Sequence, residues 1–211
     1  MPNAIRFRRY ALVGLTVLLL HTTSAQAALI GLLPASTSVA PGDSILFDLS
    51  ISELGNFRAD SVGAFDIYID FDASVLSFTG YSLGIFLGDV DRFRAIDVSS
   101  GDLGGVVNIA EVSLLSATVL NAAQPGAFIL ATLKFDVADL KIATTTQLGI
   151  SSRSILGDAL GAPLALTRLP ATNVQVITST VPASGTLFLL IASLFGWLAL
   201  RVSATPHVKP M

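Results

Sequence analysis

Along the middle of the chain, apolar and polar residues alternate. In SILFDLSIS, Ile45, Phe47, Leu49 and Ile51 share one side of an extended segment, and Asp48, Ser50 and Ser52 share the other. In AFDIYIDFD, Phe65, Ile67, Ile69 and Phe71 face inward while Asp66, Tyr68, Asp70 and Asp72 face out. In GAFILATLKFDV the inward set reads Ile129, Ala131, Leu133, Phe135 and Val137. Each run predicts a strand with one packed and one wet face. Turn signals separate the runs: Pro41-Gly42-Asp43, Ser99-Ser100-Gly101-Asp102, Gly104-Gly105 and Pro125-Gly126. No segment between Ala28 and Thr180 keeps a helical period over three turns. Short strands with this punctuation predict an all-β domain, an antiparallel β-sandwich over residues 28–178.

The two ends break this pattern. Residues 1–27 carry Arg6, Arg8 and Arg9, then an apolar core from Ala11 to Leu20, then Ala25-Gln26-Ala27. That order predicts a signal peptide cleaved after Ala27, with a core too short for a permanent span. At the far end, nine of the fifteen residues from Thr186 to Leu200 are Leu, Ile or Phe, and none is charged. Residues 186–202 therefore read as a transmembrane helix, residues 179–185 as its linker, and residues 203–211 as a tail. The basic Arg201 and Lys209 place that tail on the cytoplasmic side and the domain outside.

The tail's Val181-Pro182, Thr186-Leu187, Gly196 and Arg201 resemble the PEP-CTERM sorting signal. Ala183 and Ser184 stand where that family has Glu-Pro, and the single Arg201 replaces its basic cluster. The resemblance implies an exosortase as processing partner. It also implies export in a Gram-negative bacterium that makes exopolysaccharide, with an inner-membrane-anchored intermediate and release to the cell surface or matrix.

A second resemblance covers residues 35–178. Pro41 to Asp43, Gly63 to Phe65, Phe71-Asp72, Val75-Leu76 and Thr132 to Phe135 are similar to the turn and strand landmarks of the cohesin-like branch of bacterial cohesins and carbohydrate-binding modules. The resemblance implies a jelly-roll sandwich that works as a non-catalytic surface module. Its implied partner is another protein, such as a calcium-loaded dockerin-like domain met on one sheet face. The alternative it leaves open is a module that binds exopolysaccharide or another glycan.

Composition narrows the chemistry. Between Ala28 and Gly185 there are seven basic and fifteen acidic side chains, a net charge of −8 that disfavours nucleic acid as a partner. The same stretch has neither histidine nor cysteine, which excludes Ser-His and Cys-His nucleophiles and zinc sites built on those ligands. No carboxylate pair sits in a recognisable catalytic frame, and the reading is of a protein that is not an enzyme. No cofactor is expected beyond a candidate calcium position at Asp89 and Asp91, on the loop GDVD. The candidate ligand face is Tyr68 with its neighbours Asp66 and Asp70, an aromatic set among outward carboxylates. Asp72 is expected to cap the turn that follows its strand, and Gly63 to permit a close backbone approach. Mass spectrometry of surface material is expected to find no peptides beyond about Gly185 once the tail is processed; intact tail peptides in the mature pool would leave a plain anchor.

Overall fold

The alternation from Ile45 to Ile51 places four large apolar side chains on one side of a single strand, and all four are buried. The computed structural model describes residues 27–59 and 61–177. Within them the strands are β1 (Ala28–Pro34), β2 (Ser38–Val39), β3 (Ser44–Ser52), β4 (Val62–Phe71), β5 (Leu76–Leu83), β6 (Ala95–Asp97) and β7 (Gly101–Asp102). They continue as β8 (Val106–Ser113), β9 (Phe128–Val137), β10 (Thr144–Ile150), β11 (Ile155–Asp158), β12 (Leu166–Arg168) and β13 (Thr172–Val176). One short helix, α1 (Ala117–Ala123), lies between β8 and β9.

Two sheets face each other. The smaller has the order β12-β1-β3-β9-β5, and the larger β2-β13-β10-β4-β8-β6, with β11 and β7 added on β4 and β8. All pairings are antiparallel except β1 with β12 and β2 with β13. This is the predicted sandwich, with two parallel contacts that the alternation alone does not report. The inner faces meet through Ile45, Phe47, Leu49 and Leu133 from the smaller sheet and Phe65, Ile67, Ile69 and Ile109 from the larger.

Aromatic rings lock this core. Phe135 stands edge-on to Phe47 (5.6 Å), Phe78 (5.5 Å) and Phe71 (5.1 Å). Phe47 and Phe78 belong to its own sheet, but Phe71 belongs to the other, so the cluster joins the two layers. Edge-to-face pairs of this kind add about 0.5–1.5 kcal/mol each beyond the area they bury.

One expected inward position is corrected. Ile129 is 42% exposed, while Phe128 and Leu130 are buried. The cause is a β-bulge: Leu49 pairs with Ala131 but Ser50 pairs with Ile129, leaving Leu130 as an extra residue on β9. The extra residue reverses the side-chain parity on the N-terminal side of Leu130.

Gly63 behaves as expected. A β-carbon there would lie 2.4 Å from the carbonyl oxygen of Asp158, so only glycine lets the β11 end approach β4. Asp72 accepts from the Ser74 amide (2.9 Å) and hydroxyl (2.6 Å), and these bonds hold its carboxyl below the usual value.

The connections from β3 to β4, β5 to β6 and β8 to β9 crown one end of the sandwich. Gln124 ties them together. Its Oε1 accepts from the Val62 amide (2.7 Å), its Nε2 donates to the carbonyls of Val62 (2.7 Å) and Phe86 (3.1 Å), and its own carbonyl accepts from Phe57 (3.0 Å). β13 ends at the opposite pole.

Among the described residues, no helix is long and apolar enough to cross a membrane. The signal segment upstream of Ala27 and the tail positions Val181, Pro182, Thr186, Leu187 and Arg201 lie outside the described residues. The expected cleavage point after Ala27 falls immediately before β1.

The bulge gives a test in urea. Leu130→Ala is expected to cost about 2–5 kcal/mol of stability, and Ile129→Ala to stay within about 1 kcal/mol. A regular strand would reverse the order of the two denaturation midpoints.

Candidate interaction site

The outer face of the larger sheet is built on β4 and β8, the pair whose alternation is most regular. Ala64, Asp66, Tyr68 and Asp70 turn outward from β4, opposite Val112, Ala110, Asn108 and Val106 of β8. Asp66 Oδ1 accepts from Asn108 Nδ2 (2.6 Å), and Asn108 Oδ1 accepts from the Ser100 amide (3.0 Å). These bonds draw the 98–102 connection over β8. They leave a shallow recess of about 270 Å³ among Asp66, Tyr68, Val98, Asn108, Val112 and Ile155.

Tyr68 sits where the sheet changes partner. β4 pairs with β10 up to Ile69 and with β11 from Asp66 onward, so the chain from Ser151 to Ser154 loops out beside Tyr68. The Tyr68 backbone stays satisfied there. Its carbonyl accepts from the Ser151 amide (2.8 Å), and its amide donates to Ser154 Oγ (3.0 Å). Arg168 holds the loop from behind, donating to the carbonyls of Ser151, Ser152 and Ser154 at 2.9–3.0 Å. The loop in turn carries Arg153 over the Tyr68 ring, 4.0 Å from its centroid. A cation–π contact of this type contributes about 0.5–1 kcal/mol at an exposed site.

The predicted residues are thus only partly united. Asp66 and Tyr68 share the recess, while Asp70 is exposed and outside it. Around them the face presents Val98, Val112 and Ile155, which are 52%, 39% and 62% exposed. A strand-by-strand reading does not assemble them, because Arg153 and Val98 arrive on loops while Asn108, Val112 and Ile155 arrive through the pairing of strands distant in sequence.

Asp89 caps a single 3-10 turn, Val90–Arg92, accepting from the Asp91 amide (3.0 Å) and pairing with Arg92 Nε (3.2 Å). Among the described residues no three His, Cys, Asp or Glu side chains come together as a metal requires.

A second polar group lies on the flank of the sandwich. There the Tyr81 hydroxyl of β5 donates to Asp97 Oδ2 of β6 (2.6 Å), bridging the edges of the two sheets. Burial works to raise the Asp97 carboxyl, but hydrogen bonds from Ser99 and Tyr81 outweigh it and hold the group below its usual value. Burial, followed by the bond to Asp97, pushes the Tyr81 phenol up. Directly across from Asp97 on β8 stands Glu111. It lies at an inward position opposite Phe65, is fully buried, and neither carboxylate oxygen has a hydrogen-bond partner. Burial first, and the Asp97 charge second, push its carboxyl up to about 8. In VVNIAEVS, Glu111 follows Val107 and Ile109 in the apolar register, a misplaced charge that the sequence does display.

Solved structures share the fold of this chain. No family model and no curated protein matches the chain. Among solved structures, a type II cohesin domain from the cellulosome of Acetivibrio cellulolyticus superposes with a TM-score of 0.57 at 16% identity, over 70% of this chain and 95% of that one. The seventh ScaB type I cohesin from Pseudobacteroides cellulosolvens gives 0.55 at 10% identity, over 75% and 96%. The sixth cohesin of scaffoldin B from Acetivibrio cellulolyticus, solved in complex with a Cel5 dockerin, gives 0.52 at 16% identity, over 71% and 99%. The chain has the cohesin fold.

Glu111 sets a pH dependence. Between 4.5 and about 8 the folded protein keeps a proton that the unfolded chain has released. Stability therefore falls as pH rises through that window and levels off above it. The melting temperature is expected to drop by on the order of 5 °C between pH 5 and 8.5, and Glu111→Gln to flatten the profile. An unchanged slope in the variant would place the titrating group elsewhere.

Proposed function

We propose that this protein is an exported, non-catalytic contact module that binds another protein through the outer face of its larger sheet. The observation that carries the reading is the composition of that face. Exposed Val98, Val112 and Ile155 surround a polar centre of Tyr68, Arg153, Asp66 and Asn108 whose positions are fixed by hydrogen bonds and the cation–π contact. Apolar patches around rigid aromatic and arginine anchors suit protein recognition, where Tyr and Arg contribute disproportionately to binding. The cohesin fold supports the same reading, because a solved domain of that fold was determined with a dockerin bound. The partner we infer is a dockerin-like surface protein.

The absence of histidine and cysteine from the ectodomain supports a binding role over catalysis. A glycan platform would need a free ring face, and Arg153 covers one face of the Tyr68 ring. The C-terminal sequence supports retention at the envelope and sorting by an exosortase.

The test is a pull-down from the organism's own surface fraction with the full-length protein, followed by hydrogen exchange on the recovered complex. Ile155→Asp and Tyr68→Ala are each expected to weaken capture at least tenfold, about 1.4 kcal/mol or more. Amides of β4 and β8 should gain protection in the complex. Binding to a polysaccharide array that Tyr68→Ala abolishes, with no protein captured, would overturn the reading.

A further inference from the structure

The flank between the two sheets holds a carboxyl group that the fold leaves without any partner. We propose that this flank is a receptor for a basic side chain of a partner protein, an ammonium or guanidinium received between Asp97 and Glu111. It stands apart from the outer face of the larger sheet and does not depend on it.

The geometry begins with the Tyr81–Asp97 bridge, which spans from the edge of one sheet to the edge of the other. Beside it opens a cleft of about 580 Å³ whose lining includes Tyr81, Leu83, Ile85, Asp89, Asp91 and Asp97. The lining includes three carboxylates and no basic residue. Arg92, next to Asp91 in sequence, is already paired with Asp89, and Arg94, three residues before Asp97, is not part of the lining. Tyr81, Leu83 and Ile85 give the cleft an apolar wall, along which the aliphatic stem of a lysine or arginine can lie while its charged head reaches the acids.

Glu111 supplies the independent observation. Cross-strand partners project on the same side of their sheet, so Glu111 stands beside Asp97 on the inward face, one strand further in and buried behind the lining of the cleft. It is fully buried with both oxygens unsatisfied, a state that costs free energy and is uncommon in folded proteins. The groups around it offer no relief. β4 presents Phe65, β6 presents Asp97, and the phenol of β5 is spent on Asp97. An entering cation would satisfy both carboxylates together and draw the proton off Glu111 into solvent. One compact charge suits this two-carboxylate pair better than Ca²⁺, which takes about six to eight oxygen ligands.

The probe is a fluorescein-labelled peptide of alternating lysine and glycine, with arginine–glycine and serine–glycine versions, titrated into the full-length protein by fluorescence anisotropy. The basic peptides are expected to bind and the serine peptide not. Asp97→Asn and Glu111→Gln should each weaken binding at least fivefold, while Asp139→Asn, at an exposed carboxylate on a separate turn, changes it less than twofold. Affinity in the unsubstituted protein should rise severalfold from pH 6.5 to 8.5, with proton release visible as a buffer-dependent binding enthalpy, and both effects should vanish in Glu111→Gln. Preserved melting curves confirm that the variants fold, and Glu111→Leu provides a second substitution if Gln proves unstable. Equal weakening by Asp139→Asn would reduce the binding to general attraction by an acidic domain and overturn the proposal. So would binding that Asp97→Asn leaves intact, or calcium chloride displacing the peptide stoichiometrically at micromolar concentration.

Discussion

The sandwich is held as one body by the ring cluster around Phe135. A sheet is apolar on one face only, so two sheets cohere as far as their inner faces interlock. Phe135 meets Phe47 and Phe78 within its own layer and Phe71 across the gap. No disulfide supports this contact, since the chain has no cysteine. Packing must fix the distance and angle between layers, helped at one flank by the Tyr81–Asp97 hydrogen bond. The outer faces inherit that rigidity: Phe71 ends the strand that carries Asp66 and Tyr68, so the recess geometry is anchored from beneath.

Much of this was legible in the sequence. Period-two alternation gave Phe47, Ile67 and Leu133 their inward sense, and Asp72 and Gly63 serve as local chemistry predicts. Ile129 escaped because a bulge changes parity without leaving a mark in the pattern. The site was less legible for a related reason. Tyr68 was visible as an outward aromatic, but Arg153 reaches it only because the chain between β10 and β11 leaves β4 and returns, 85 residues downstream of Tyr68. Strand parity describes what each segment does alone, and contacts between distant loops lie beyond it. Glu111 is the instructive exception. Its position on the apolar side of an alternating run could be read directly, whereas its lack of partners could not.

The two polar features differ in physical character. On the larger sheet's outer face Asp66 and Asn108 are bonded to each other and Asn108 also to the Ser100 amide, so the centre of the surface is preformed, which limits the ordering cost of binding. On the flank one carboxyl is left over, so the protein there stores an unmet interaction. A satisfied surface selects by shape and an unsatisfied one by charge.

The placement of the last strand bears on mechanics. β13 runs to Val176 alongside β10 on one side and β2 on the other, and it ends at the pole away from the Gln124 crown. Its hydrogen bonds lie across the strand axis. Tension applied at Ile177 along that axis therefore loads the five registered pairs from Thr144–Val176 to Leu148–Thr172 simultaneously, in shear, instead of peeling them one by one. A domain pulled from this end resists as a block.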